Sequence, residues 1–509
     1  MIEITGQDLT IREVIQIACN HEQVMLSQSA KKQVEASHDI LLQNLKRDFP
    51  FYGINTGYGI FHNQKISSDK LASLNRNLII SHAVSIGELF DENTVRAAML
   101  IRANTLAKGF SGIRVDVIQT LLDMLNKDVV PQIRQQGSMG SSGDLCQLAQ
   151  MALVLTTDEK DLEEQSGSAW FNGKQLSGKA AMQAANIQRI VLQPKEGLAL
   201  INGATFSAAL AVLSCWSAKY LCMWADSNLA LSLEALAGRR EAFDPRLHAA
   251  RGMNGQIKTA KYVWEKTECS QFVNSTHHVQ DGYAIRCAPQ VHGAVWDTLE
   301  HAEKIISSEI NAATDNPLIF ENGDVISGGN FHGEPIAFIM DFLGIALAEL
   351  GAIAERRIFR LLDSNLNNGL PLMLIADPSR AGTESGLMIP QYAAASLVME
   401  NQHLANSDAV HSIPTSANQE DHNSNSLNAA RHAMTIAKNV LSILAIERYC
   451  LAHALDIRMR NDPDRKMASG THAIYEEIRN IVDFQEHEIV WGEEIHKVLD
   501  SLEQRLFSV

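Results

Sequence analysis

Apolar residues recur at helical spacing through the second half of the chain. Two stretches repeat hydrophobic positions every three or four residues; one contains Leu343, Leu347, Leu350, Ala354 and Leu361, and the other contains Leu299, Ala302, Ile306 and Ile310. That spacing places the apolar side chains on one face of a helix. A third stretch, 426–455, is apolar on nearly all sides, which is typical of a helix surrounded by other helices. We therefore predict long helices packed as a central bundle.

Strand patterns are few and short, as at 190–192, where Pro194 follows soon after. They leave too little strand for a doubly wound sheet. The predicted fold class is mainly α. A loop-rich N-terminal region, 1–200, carries the first candidate active-site loops, and a long-helix bundle follows over 201–509. No linker or repeat marks the boundary, so its position is approximate.

Composition narrows the possible partners. The 509 residues are 46% hydrophobic and 20% charged, which is enough apolar material for a large core. A net charge of −16 without clusters of Lys and Arg disfavours nucleic acids and anionic membranes as partners. No apolar run reaches the roughly 18 uninterrupted residues of a spanning helix, so we expect a cytoplasmic protein. The seven cysteines occur singly and form neither a disulfide framework nor a CxxC motif.

Glycine-, serine- and asparagine-bearing loops separate the helices and are candidates for chemistry, because loops held by a rigid scaffold commonly carry it. They are YGINTGYG (52–59), GSMGSSGDL (137–145), VQDGYAIR (279–286), SGGNFHGEP (327–335) and PTSANQEDH (414–422). Each of them alone is also compatible with a plain turn. His277 and His278 are adjacent and point apart, and no HExxH motif occurs, so we assign no metal site.

The segment 137–145 allows three interpretations, of which a structural turn is the simplest. A phosphate cradle is disfavoured, because a P-loop needs Lys followed by Ser or Thr where this segment has Asp144. The third is self-cyclisation. The Gly143 nitrogen attacks the Ser141 carbonyl, two waters leave, one of them taking the Ser142 hydroxyl, and a 4-methylideneimidazol-5-one ring results. Glycine at 143 leaves that nitrogen unhindered and permits the compressed turn. Spacing alone leaves both the turn and the ring open.

The loop motifs, in this order from Phe51 to about Arg458, resemble the aromatic amino acid ammonia-lyase and aminomutase family, with histidine ammonia-lyases the most similar members. The resemblance extends to NLIISHA, KEGLALINGA, FDPRLHAARG and TDNPLIF. It implies a mainly helical homotetramer whose active sites are shared between subunits. It also implies that the electrophile is the ring formed from Ser141, Ser142 and Gly143, with no external cofactor.

The resemblance implies a role for each matching residue. Tyr52 resembles the tyrosine that removes the β-proton of the substrate, and Tyr283 resembles the second tyrosine, near the ring. Asn202 resembles the residue that orients the amine and the ring oxygen. Arg286 matches the arginine that binds the substrate carboxylate, where a planar fork outperforms lysine. Two further positions match residues that line the pocket, Gln280 and Phe331.

Ser81 and His82 resemble the Ser-His pair of the histidine enzymes, and Glu420 resembles their glutamate. An imidazole offers a donor and an acceptor, which His82 and Glu420 can pair, whereas a benzene ring would leave both groups unpaired at about 1–3 kcal/mol each. We therefore predict that the partner is a small-molecule amino acid, L-histidine, which is converted to trans-urocanate and ammonia.

Two other functions stay open. A tyrosine or phenylalanine ammonia-lyase, or a 2,3-aminomutase, would use the same ring, since lyase and mutase differ in how long a closed pocket retains the product. A catalytically silent helical scaffold is the third. Four positions depart from the family pattern. Ser141 replaces alanine but contributes only its carbonyl, so cyclisation survives. Ser85, Gly282 and His411 replace glycine, proline and aspartate and leave the exact amino acid open.

Overall fold

The computed structural model describes residues 1–47 and 49–508, and α-helices account for most of that part, which confirms the mainly α prediction. The helices are α1 (Ile11–Ala18), α2 (Gln28–Leu45), α3 (Leu71–His82), α4 (Glu92–Ala107), α5 (Val115–Asn126), α6 (Leu145–Leu155), α7 (Gly178–Ala184), α8 (Glu196–Ile201), α9 (Thr205–Ala235), α10 (Pro245–Arg251), α11 (Asn254–Lys266), α12 (Tyr283–Arg286), α13 (Ala288–Glu309), α14 (Glu334–Leu362), α15 (Met388–Leu404), α16 (Ser426–Asn461), α17 (Ser469–Arg479) and α18 (Trp491–Leu506).

The strands are two to four residues long and form small sheets of two or three strands. They are β1 (Ile2–Ile4), β2 (Val24–Leu26), β3 (Ile86–Leu89), β4 (Val130–Pro131), β5 (Arg134–Gln136), β6 (Thr156–Thr157), β7 (Ser168–Phe171), β8 (Lys174–Ser177), β9 (Ile190–Val191), β10 (Leu318–Ile319) and β11 (Val325–Ile326). The sheet β4-β7-β8 is antiparallel, with Val130 opposite Trp170 and Ser168 opposite Ser177. The strand β9 lies within the predicted short strand at 190–192.

The bundle is built from α9, α13, α14 and α16, which pack on one another. The nine apolar residues that defined the two predicted helical stretches are all buried. The stretch predicted at 426–455 forms α16, whose 36 residues rise by roughly 54 Å at 1.5 Å each. The central bundle is therefore where the pattern predicted it. The division at residue 200 stays a prediction.

Two helices of the bundle, α9 and α14, are long and apolar enough to cross a membrane by length and composition. Of their most apolar 18-residue windows, 78% in α9 and 67% in α14 is buried inside the protein. Core helices of a large bundle have the same property, because neighbouring helices cover them on several sides.

Charged groups are buried between these helices and are paired. Arg357 Nε donates to Glu447 Oε1 at 2.5 Å, and His292 Nδ1 lies 2.8 Å from Asp226 Oδ1. Arg357 Nη1 also lies 3.2 Å from His292 Nε2, which joins the two pairs into one network. Burial lowers the pKa of His292. The network satisfies polar groups that would otherwise be costly in the interior.

Four helices of the chain begin at the segment 137–145. The helix α6 follows Asp144 directly, and Asp144 also accepts from the Ser207 N–H in the first turn of α9 (2.8 Å). The N–H of Gly333, just before α14, donates to Gly140 O (3.1 Å). The N–H of Asn425, just before α16, donates to Met139 O (2.8 Å). Helix N-termini carry partial positive charge, so this arrangement favours negative charge beside the segment.

Candidate active site

Loops from distant parts of the chain enclose a cavity of about 1190 Å³. It lies beside the segment 137–145 and is walled by the loop after α2, the C-terminal end of α3, and the loops that precede α14 and α16. Seven residues predicted for the site line it: Tyr52, His82, Ser141, Ser142, Asn202, Phe331 and Glu420. The cavity therefore unites residues that are separated by more than three hundred positions.

Gly143 lies against the backbone of Gly203 in a short parallel bridge. Its φ is +79°, a conformation that glycine adopts without strain. A Cβ at this position would lie 2.0 Å from the carbonyl carbon of Gly203, closer than any real side chain comes. The N–H of Asp144 donates to Gly203 O (2.9 Å) and the N–H of Gly203 donates to Ser142 O (3.2 Å). The structure thus requires glycine at 143 and compresses the turn around it.

Asp144 holds this turn in place through hydrogen bonds of its side chain. Its buried carboxylate accepts from Ser138 Oγ (2.7 Å) and from the N–H of Ser207 (2.8 Å). Burial raises the pKa of Asp144, while these hydrogen bonds oppose the rise. In the sequence, Asp144 served only to disfavour a phosphate-binding loop. Its position directly after the Ser-Ser-Gly triplet was the available signal for this anchoring role.

Asn202 is held so that its amide meets the serine loop. Asn202 Nδ2 donates to Ser142 O at 2.8 Å. The Asn202 carbonyl in turn accepts from the fully buried Arg102, whose second nitrogen donates to Thr314 Oγ1 at 2.9 Å. Burial lowers the pKa of Arg102 to about 10. No motif marked Arg102, which lies in α4, a helix that is buried on all sides.

Glu420 faces the hydroxyls of the serine loop. Its Oε1 accepts from Ser142 Oγ at 2.5 Å, and its Oε2 lies 3.3 Å from Ser141 Oγ. Thr415 Oγ1 donates to Oε2 at 3.1 Å, and the backbones of the two residues form an antiparallel bridge. The carboxylate is therefore fixed against the residues of the predicted ring.

Tyr52 and His82 share this wall of the cavity with Glu420. The Tyr52 hydroxyl accepts from the Gly59 N–H at 3.5 Å. Burial raises the pKa of Tyr52, the Gly59 N–H lowers it, and the negative charge of Glu420 raises it further. Burial lowers the pKa of His82, which favours the neutral imidazole. His82 Nδ1 lies 3.0 Å from Ser81 Oγ, so Nε2 is the nitrogen left for other partners.

Phe331 also lines the cavity, and the residue after it connects two of the loops that form the cavity. The ring of His332 stacks on that of His422, with centroids 5.8 Å apart and planes within 4°. His332 Nε2 also donates to the carbonyl oxygen of His422 at 3.2 Å. The contact links the loop before α14 to the Glu420 loop. The sequence analysis did not single out either histidine.

Gln280, Tyr283 and Arg286 do not line this cavity within one chain. Tyr283 is 70% exposed, and the guanidinium carbon of Arg286 lies 4.6 Å from the centroid of its ring. Arg286 Nε is buried and has no hydrogen-bond partner in the described part of the chain. The structure therefore brings together seven of the predicted residues but leaves these three elsewhere.

Of the four positions that depart from the family pattern, Ser141 lines the cavity and the other three do not. Ser85, Gly282 and His411 are all absent from its lining. Ser85 is buried, and a Cβ at Gly282 would lie 2.5 Å from Arg360 Nη1, the end of a flexible side chain. The His411 backbone carbonyl accepts from the Asn425 side chain. None of the three residues lines the cavity of its own chain.

A second tyrosine of the YGINTGYG loop, Tyr58, does line the cavity, and its hydroxyl oxygen is buried. The sequence analysis missed it, although it stands six positions after Tyr52 in the same motif. An aromatic residue between two glycines is more simply explained by packing, and Tyr58 does pack against the hydrophobic core.

A helical bundle that presents a compressed Ser-Ser-Gly turn, a partly buried tyrosine and a carboxylate to one cavity fits a carbon–nitrogen lyase. The chain belongs to the aromatic amino acid lyase family, whose model matches residues 9–480. The histidine ammonia-lyase of Caldanaerobacter subterraneus is 45% identical over 485 residues, which are 95% of this chain and 92% of that protein.

Two solved structures have similar folds. The tyrosine aminomutase from Streptomyces globisporus has 33% identity and a TM-score of 0.92 over 99% of this chain and 97% of that chain. The histidine ammonia-lyase from Trypanosoma cruzi has 33% identity and a TM-score of 0.90 over 99% of this chain and 94% of that chain. The family resemblance predicted from the motifs is confirmed.

Proposed function

We propose that this protein eliminates ammonia from L-histidine and releases trans-urocanate. The observation that carries the proposal is the polar wall formed by His82 and Glu420 beside Tyr52. An imidazole can pair with both groups, whereas an unsubstituted aromatic ring cannot. Similarity to proteins named histidine ammonia-lyase over nearly the whole chain supports the same substrate.

The electrophile would be the 4-methylideneimidazol-5-one ring of Ser141, Ser142 and Gly143. The geometry of the turn fits it. Gly143 is compressed against Gly203, and Asn202 Nδ2 already binds the Ser142 carbonyl at 2.8 Å. When formed from these three residues, the ring would supply an electrophilic alkene that makes the substrate amine a better leaving group.

The side chains of the cavity then divide the remaining work. Tyr52 accepts the β-proton, Asn202 orients the amine, and Phe331 packs against the substrate. Formation of the ring removes the Ser142 hydroxyl, which is the 2.5 Å donor to Glu420 Oε1. That oxygen is then free to accept from the imidazole N–H, so maturation of the turn prepares the specificity wall.

We further propose a homotetramer in which neighbouring subunits complete each site. Arg286 would bind the substrate carboxylate, with Tyr283 near the ring and Gln280 lining the pocket. All three lie outside the cavity of their own chain. An exposed apolar stripe on α14, formed by Phe338, Phe342 and Ile345, offers a surface for such assembly.

Shared sites can be tested by complementation. Tyr52→Phe and Tyr283→Phe chains are each expected to be nearly inactive. Co-expressed at equal levels and assembled at random, they should recover about a quarter of the sites, because both intact residues meet at those sites. Activity no greater than that of the two separate variants would show that each chain builds its own site.

A 2,3-aminomutase, or a tyrosine or phenylalanine ammonia-lyase, is the alternative, and the similarity to a tyrosine aminomutase favours keeping it. The test is incubation with L-histidine, L-tyrosine and L-phenylalanine. Ultraviolet absorbance reports the unsaturated acid and mass spectrometry reports any β-amino acid. A β-amino acid product would replace the lyase proposal.

Intact mass tests the ring itself. The protein without substitutions should be lighter than its sequence by two waters, lost within 141–143. Ser142→Ala should lose nearly all activity because it cannot form the alkene. If the protein keeps the full mass of its sequence and turns over no aromatic amino acid, a catalytically silent scaffold is favoured. We propose a cytoplasmic location for the enzyme.

A further inference from the structure

The hydroxyl of Tyr58 has no hydrogen-bond partner among the described residues. It lies between Gly57 and Gly59 in the loop that carries Tyr52 and faces the same cavity. Its hydroxyl oxygen is buried and has no hydrogen-bond partner among the residues that the structure describes. Its ring packs against the hydrophobic core, so the side chain is fixed in place.

A phenylalanine at position 58 would fill the same space without a buried hydroxyl. Such a hydroxyl destabilises the protein when the protein alone must accommodate it. Buried unpaired polar groups are rare in native proteins and call for a reason. At the wall of a substrate cavity, the reason available is a partner that arrives with the ligand.

The hydroxyl is suited to act as a donor. Burial raises the pKa of Tyr58, and the neighbouring Tyr52 raises it further. The phenol therefore keeps its proton over the pH range in which the protein is folded and active. No described residue accepts a hydrogen bond from this hydroxyl, so the acceptor is left to be supplied by the bound amino acid.

We infer that Tyr58 is a substrate-binding residue whose hydroxyl donates a hydrogen bond to an acceptor atom of the amino acid in the cavity. The inference rests on the proposed function. The acceptor is an oxygen of the substrate carboxylate, because His82 and Glu420 pair the acceptor and the donor of the substrate ring in the proposed function.

The chain offers a matched control. Tyr449, in the middle of α16, also has a buried hydroxyl without a partner in the described residues. Its ring packs against Trp491, with centroids 6.2 Å apart, and it does not line the cavity. Tyr449→Phe therefore removes the same atom from a comparable environment without touching the substrate.

The experiment compares Tyr58→Phe and Tyr449→Phe with the unmodified enzyme. Measurements are kcat and KM for L-histidine, thermal unfolding, and intact mass to verify that the ring forms in each. We expect Tyr58→Phe to raise KM for histidine about 5- to 150-fold, equivalent to about 1–3 kcal/mol, with kcat less affected. Its Tm should be equal or higher, since the unpaired hydroxyl is gone, and Tyr449→Phe should leave KM unchanged.

The choice of substrate tests the acceptor. With the carboxylate as acceptor, histidine and phenylalanine both lose affinity in Tyr58→Phe; a loss confined to histidine would overturn the assignment to the carboxylate. An unchanged KM in Tyr58→Phe would overturn the inference while leaving the proposed function standing. A fall in kcat without a rise in KM would also overturn the inference. So would a rise in KM accompanied by a fall in Tm. An unmodified enzyme without turnover of any aromatic amino acid would overturn the proposed function and the inference with it.

Discussion

Replacing His82 by Leu and Glu420 by Gln together should narrow the preference for histidine over phenylalanine. Formation of the proposed ring would remove the Ser142 hydroxyl from Glu420 Oε1 and leave Thr415 as a donor to Oε2. His82 keeps Ser81 on Nδ1 and has Nε2 free. Histidine satisfies both groups on binding, whereas phenylalanine desolvates them and satisfies neither.

The size of the effect follows from these two groups. An unpaired His82 costs about 1–3 kcal/mol, and a hydrogen bond to a charged group exceeds a neutral one by about 1 kcal/mol, which Glu420→Gln gives up. The sum, about 2–4 kcal/mol, corresponds to a change of about 30- to 700-fold in the ratio of the two catalytic efficiencies. Histidine turnover should fall and account for most of that change.

The assay is kcat/KM for histidine, tyrosine and phenylalanine, followed by product absorbance in the unmodified and doubly substituted enzymes. Glu493→Gln is the control, because it makes the same exchange at an exposed position that does not line the cavity. The reasoning is refuted if the ratio changes by less than about threefold, far below the expected range. A higher efficiency for tyrosine or phenylalanine in the unmodified enzyme would refute the histidine assignment itself.

Four further predictions follow from the geometry. Gly143→Ala should keep the mass of the uncyclised chain and lose activity, because the added Cβ would meet Gly203. Gly173→Ala is its control and should form the ring normally, since Gly173 has φ +71° and open space around it. Arg286→Lys should lower kcat/KM for histidine markedly although the charge is kept, since the bidentate fork is lost, and an unchanged value would remove Arg286 from the site. Because Glu420 raises the pKa of Tyr52, whose basic form accepts the proton, kcat/KM should rise with pH, and Glu420→Gln should move that rise to lower pH; an unmoved pH profile would contradict the assignment of Tyr52 as the base. Lys195→Met should lower the free energy of unfolding in urea by about 3–5 kcal/mol, because it strands the buried Asp315 that Lys195 Nζ meets at 2.5 Å, while the exposed Lys497→Met should change it little.

The sequence predicted the parts of the fold that depend on periodic burial. The pattern at 426–455 became α16 because a helix covered on all sides must be apolar on all sides. The two stretches with helical spacing are likewise buried in α13 and α14. The small sheets β4-β7-β8 and β3-β5 were not predicted, since strands this short show too few alternations to stand out.

The candidate site was predictable only where a motif marked it. Motifs marked the Ser-Ser-Gly turn and Glu420, whose side chains are in contact because their loops dock on each other. Arg102 escaped notice because a buried arginine inside an apolar helix leaves no pattern of its own. Tyr283 and Arg286 were identified by type, yet the sequence could not say where they lie relative to the cavity of their own chain. Position in space depends on packing that the linear pattern does not contain.

The docking of late segments on Gly140 sets the order in which the enzyme can be made. The Gly140 carbonyl accepts from the N–H of Gly333 and from Ser424 Oγ, 284 positions further along the chain. Nearly the whole polypeptide must therefore be synthesised before the turn at 141–143 reaches its final, compressed conformation. In the proposed scheme the nascent chain carries three ordinary residues, and the reactive alkene arises only inside a finished fold. A chain shortened before Ser424 should therefore remain chemically inert, however much of the N-terminal region it contains.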